Sequence, residues 1–145
     1  MILGNLEAEI ITKMIVAAIL GLLVGLEREL HNKPAGIRTH ALVCMGSALF
    51  TIVSIYFTGT QDPSRIAAGV VIGIGFLGAG LIFHAKDKVR GLTTGAELWT
   101  LAGIGIAVGI GFYILAFAAT IIVLTVLVIG RFFEEWALKK TSRER

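Results

Sequence analysis

GLTTGAELWTLAGIGIAVGIGFYILAFAATIIVLTVLVIG, Gly91 to Gly130, is a 40-residue apolar stretch that holds one charge, Glu97. As a single helix it would measure about 60 Å at roughly 1.5 Å per residue, twice the hydrocarbon thickness of a bilayer. It has to break. GIGFY, Gly109 to Tyr113, supplies the turn, because glycine accepts the backbone angles that a tight connection needs.

Three further apolar runs precede it: Ile10 to Leu26, Ile37 to Phe57 and Ile66 to His84. With 56% hydrophobic and 16% charged residues, the chain lies far from the composition of a soluble domain. The expectation is an all-α integral membrane protein whose first partner is the lipid bilayer. Its 145 residues form a single membrane domain with five transmembrane helices, at about 10–28, 37–57, 66–84, 92–109 and 112–131, and a basic interfacial tail over 132–145. Glu7 and Glu9 stand where a signal peptide would be positive, so the first helix is expected to remain.

Charge gives an independent count of crossings. Arg28, Lys33 and Arg38 follow the first helix; Lys86, Lys88 and Arg90 follow the third; Arg131, Lys139, Lys140, Arg143 and Arg145 close the chain. The positive-inside rule puts all three groups in the cytoplasm. The acidic N-terminal tail, the Asp62/Arg65 connection and the uncharged fourth connection belong outside. Only an odd number of crossings satisfies both sets, so the N-terminus lies outside and the C-terminus inside. Trp99 fits neither interfacial belt and is expected to pack against glycines of a neighbouring helix.

Gly73, Gly75 and Gly78 stand in a G-x-G-x-x-G spacing. In a soluble βαβ unit that would cradle a dinucleotide, but apolar residues flank it on both sides. In lipid, small residues serve close helix approach. Gly21 and Gly25, Gly69 and Gly73, and Gly105 and Gly109 are such pairs, with Gly75 and Gly78 beside them, and the third helix is expected in the middle of the bundle.

Polar residues on the second helix form a line: His40, Cys44, Ser47, Thr51, Ser54 and Thr58. At roughly 100° per residue all six fall within about 80° of one another. Two origins stay open, hydroxyls bonding back to their own helix or the border of a hydrated path. Glu97, inside the fourth helix, needs a partner because an intramembrane carboxylate normally faces protein or water. Arg38, Arg90 and a bound cation are the candidates, and Glu27, Arg38 and Arg90 are expected to form an ionic cluster at the inner mouth with Glu97 nearby.

Catalysis has no support. His40 and Cys44 are one turn apart, but no orienting acid, G-x-S-x-G or H-E-x-x-H accompanies them. Cys44 is the only cysteine, which excludes an intrachain disulfide and a CxxC pair. Nucleic-acid binding is not expected either, since topology accounts for the basic residues.

GLLVGLERELHNKPAGIRTHALVCMGSALF, AAGVVIGIGFLGAGLIF and VRGLTTGAELWTLAGIGIAVGIG, in this order, resemble the membrane domain of the MgtC/SapB family. The resemblance runs from about Gly21 to Gly111 and makes Glu27, Arg38, Thr39, Gly75, Gly78, Thr93, Thr94 and Trp99 the positions of interest. It implies a multi-pass protein of a prokaryotic cell membrane engaged in Mg²⁺ transport or homeostasis. Family members are also described as regulators of other membrane machines, ATP synthase included, which implies a membrane-protein partner as the alternative. Many carry a soluble C-terminal domain, which is not expected in a chain ending at Arg145. Mg²⁺ takes oxygen ligands in near-octahedral geometry and retains water, so Glu27 and Glu97 with the Thr93 and Thr94 hydroxyls are the candidate metal ligands. No organic cofactor is expected, and a homodimer joined through glycine faces is.

Overall fold

The computed structural model describes residues 2–57, 64–85 and 88–143, so Thr58, Asp62 and Lys86 lie outside the described residues. Five α-helices appear among them: α1 (Ile2–Leu30), α2 (Ile37–Phe57), α3 (Ser64–Gly80), α4 (Leu92–Ile110) and α5 (Tyr113–Arg143). Four are long and apolar enough to cross a membrane, and α3 is a shorter apolar helix.

Local chemistry sets the helix ends. α1 stops where Asn32 takes a left-handed conformation (φ 51°), which lets the Lys33 N–H reach the Arg28 carbonyl at 3.1 Å. α2 opens with the Ile37 N–H donating to the Glu29 carboxylate at 2.9 Å, a negative charge at a helix N-terminus. The long apolar stretch breaks at Gly111 (φ 98°): its N–H donates to Val108, and Phe112 N–H donates to the Ala107 carbonyl at 2.8 Å. That pattern is a Schellman cap, and the left-handed residue it requires is glycine.

Three boundaries differ from the sequence expectation. α1 begins at Ile2, well before residue 10. α3 ends at Gly80, and Phe83 and His84, expected to continue it, belong to a β-hairpin of Phe83–Ala85 (β1) with Lys88–Arg90 (β2). Gly91 then turns the chain into α4 in a left-handed conformation (φ 87°), where a side chain would strike the Leu81 carbonyl. α5 runs to Arg143 without interruption, so residues 132–143 prolong a helix and do not start a separate interfacial one.

α4 is the centre of the bundle and touches all four other helices. α2 runs antiparallel to α1: Gly25 lies against Ile37 and His40, and Gly21 against Cys44. It runs parallel to α4, where Gly105 lies against Cys44 and Ser47, and Gly109 against Thr51. A β-carbon at Gly109 would come within 2.7 Å of the Thr51 β-carbon, so the missing side chain is what lets these helices meet. α3 is not central. Only Gly78 meets another backbone closely, at Gly95, whereas Gly69, Gly73 and Gly75 face open space. Ile72 and Phe76 are exposed on α3, and Trp99 on α4 is 56% exposed, in place of the expected packing against glycine.

Candidate functional site

The buried stripe of α1 runs Ala17, Leu20, Val24 in steps of three and four, and the next step lands on Arg28. A guanidinium thereby enters the core at the end of α1, only 5% exposed. Such a charge must be paired.

Arg28 is paired on three sides. Its Nε stands 2.8 Å from Glu97 Oε2 on α4 in an ion pair lying off the hydrogen-bonding line. Nη2 donates to Thr94 Oγ1 at 3.3 Å, and Nη1 lies 3.6 Å from Glu27 Oε2. Glu27 in turn accepts from Arg131 Nη1 of α5 at 2.7 Å, with His31 Nδ1 at 3.3 Å. On the far side, His40 Nε2 of α2 is hydrogen-bonded to Glu97 Oε1. One buried network thus ties α1, α2, α4 and α5 together at one end of the bundle.

His40 Nδ1 lies 2.8 Å from the Gly36 carbonyl, and Nε2 faces the Glu97 carboxylate, so both ring nitrogens meet oxygen atoms. Two guanidiniums, Arg28 and Arg131, face two carboxylates, Glu27 and Glu97, across the cluster.

These contacts revise the expected cluster. Arg38 is exposed, and Glu27 takes Arg131 and Arg28 as partners in its place; Arg90 is also exposed. Of the four candidate metal ligands, Glu27, Glu97 and Thr94 are buried together around Arg28, while Thr93 is exposed. Arg28 fills the space between the two carboxylates where a shared cation would lie. Among the described residues no three His, Cys, Asp or Glu side chains come together in metal-binding geometry. Sequence reasoning passed over Arg28 and Arg131 as topology charges. The three-and-four stripe ending on Arg28 was the available signal, whereas nothing in the spacing links Glu27 to Arg131.

The polar line of α2 begins at this network. His40, Cys44, Ser47, Thr51 and Ser54 are all buried. Ser47 and Thr51 donate to the carbonyls of Val43 and Ser47, each at 2.8 Å, bonding back to their own helix. From His40 to Thr51 the line seats in the glycine notches of α1 and α4. It is a packing seam with a charged end.

Comparison with known proteins gives the chain a family. The MgtC family model matches residues 14–136. SapB of Bacillus subtilis is 38% identical over 97% of this chain and 62% of its own length. YhiD of Escherichia coli, named as a proposed magnesium transporter, is 46% identical over 84% of this chain and 60% of its own. MgtC of Salmonella typhimurium is 50% identical over 79% of this chain and 49% of its own. The chain spans about three fifths or less of the length of these relatives. No solved structure matches it. A family match over this much of the sequence, with relatives this close, places the chain in the MgtC family.

Proposed function

We propose that this protein acts in magnesium handling at a prokaryotic cell membrane through the state of its buried ionic cluster, and not as a standing open pathway for the ion. The magnesium link comes from the relatives, YhiD above all, and the membrane assignment from their bacterial sources together with the apolar helices. The observation that carries the mechanism is Arg28 lying between Glu27 and Glu97. Both carboxylates are occupied by protein cations, so Mg²⁺ has no vacant oxygen set there. Arg28 and Arg131 would have to withdraw before Glu27, Glu97, Thr93 and Thr94 could present oxygens to the ion.

Five crossings, N-terminus outside and C-terminus inside, belong to the same proposal. α2 and α4 run parallel, so the chain between them must travel back along the bundle, and α3 is the helix available to do it. Its 17 residues fall at the short end of the roughly 17–25 that span a bilayer. The open face of α3 that carries Gly69 and Gly73, one turn apart, is the surface we assign to a homodimer. A membrane-protein partner such as an ATPase would meet the same lipid-facing side.

Transport is the second reading, favoured by the name of YhiD and by Arg131, whose 25% exposed side chain makes it the more readily displaced guard of Glu27. Magnesium flux into proteoliposomes separates the two. The proposal expects the wild-type protein to carry no saturable flux above protein-free vesicles. Saturable flux abolished by Glu97→Gln would establish transport instead.

A further inference from the structure

Beside the ionic cluster, where α1 ends and α4 begins, a cavity of about 610 Å³ opens between the connection after α1, the first turn of α4 and α5. Four cationic side chains line it, Arg28, Lys33, Arg90 and Arg131, against one carboxylate, Glu134. Neither Lys33 nor Arg90 has a role in the cluster, and both are exposed.

The wall is positive for a further reason. The first turn of α4 also faces this space through Gly91, Thr93 and Thr94, and no side chain caps it. The first N–H groups of a helix lack intrahelical partners and carry the positive end of its dipole. The Thr93 hydroxyl adds one more donor at the rim.

We propose that this cavity binds a phosphate-bearing anion. Guanidinium forks, a lysine and free N–H groups together form the donor set that a tetrahedral oxyanion accepts from. A cation is disfavoured by the same inventory, since Glu134 is the lone acid on the lining. The phosphate can arrive on the headgroup of an anionic lipid or on a soluble molecule, and the chemistry of recognition is shared.

Binding there would be coupled to the cluster. Arg131 lines the cavity and also donates through Nη1 to Glu27. An anion engaging the rest of that guanidinium competes with Glu27 for it, so occupancy of the cavity loosens the tie between α5 and α1. This linkage holds whether or not magnesium crosses the membrane, and its test is independent of flux.

The test is thermal unfolding of the full chain in two settings. In detergent, sodium phosphate is titrated against sodium chloride at constant ionic strength. In nanodiscs, phosphatidylcholine is compared with the same lipid plus phosphatidylglycerol. Wild type, Lys33→Gln, Arg90→Gln and the remote surface variant Arg65→Gln are run side by side. The proposal expects saturable stabilisation in at least one setting, about tenfold weaker in apparent affinity for Lys33→Gln and for Arg90→Gln and unchanged for Arg65→Gln. A response to phosphate assigns a soluble source, and a response to phosphatidylglycerol alone assigns a lipid. Stabilisation absent from both settings, or weakened equally by Arg65→Gln, would overturn it.

Discussion

Arg28 Nε stands 2.8 Å from Glu97 Oε2, joining the end of α1 to the second turn of α4 inside the bundle. Removing two charges from water is expensive, and their attraction repays it only when further hydrogen bonds complete the site. Here Thr94 accepts from Arg28, His40 meets Glu97 and Arg131 donates to Glu27, while Glu27 stands 3.6 Å from Arg28 as an ion pair. What holds this end of the molecule is therefore a network whose members depend on each other.

The first prediction separates the observed pairing from the one expected at the level of sequence. Arg28→Ala leaves Glu97 buried beside His40 alone and should destabilise the protein by about 3–5 kcal/mol, the range for a broken buried pair. Arg38→Ala, at an exposed position, should stay within about 0.5 kcal/mol of wild type. Denaturant unfolding in mixed micelles measures both. Equal losses would restore Arg38 to the cluster.

Glycines on different helices should behave differently. A β-carbon at Gly25 would lie 2.7 Å from Ile37 Cα, and one at Gly109 equally close to the Thr51 β-carbon. Gly25→Ala and Gly109→Ala should each cost about 1–3 kcal/mol through overpacking. Gly73→Ala meets nothing within 4 Å and should leave the stability of the single chain intact while weakening a dimer formed through α3. Melting curves and cross-linking yields give the two readouts, and a chain destabilised as strongly by Gly73→Ala as by Gly109→Ala would contradict the placement of α3.

Topology is open to labelling, because Cys44 is fully buried and contributes no background. Glu7→Cys should react with a membrane-impermeant maleimide in intact cells, and Lys33→Cys only after permeabilisation. Labelling of both positions from the outside would exclude a first crossing by α1.

The sequence was legible where local chemistry decides. α2 spans the residues expected of it because Pro34 and Gly36 precede it and an apolar run fills it. The break in the last stretch fell within GIGFY because glycine takes the left-handed cap without a β-carbon penalty. Centrality of α3 was not legible: glycine on several faces records that backbones can approach, and does not say which helix occupies the space. Glu27 and Arg131 lie 104 residues apart, and no spacing rule reaches that far. The β-hairpin after Gly80 was hidden by Leu81, Ile82 and Phe83, whose apolar character extended the helical run into a strand.

The most direct test of the network is a double-mutant cycle on Arg28→Met and Glu97→Leu, which replace the charges by apolar side chains of similar size, read as unfolding free energies in mixed micelles. Each single variant strands a buried charge, and the double variant strands neither member of the pair. The account predicts that the double variant recovers about 1–3 kcal/mol relative to the sum of the two single losses. Losses that add to within about 0.5 kcal/mol would show that Arg28 and Glu97 act independently, and would contradict it.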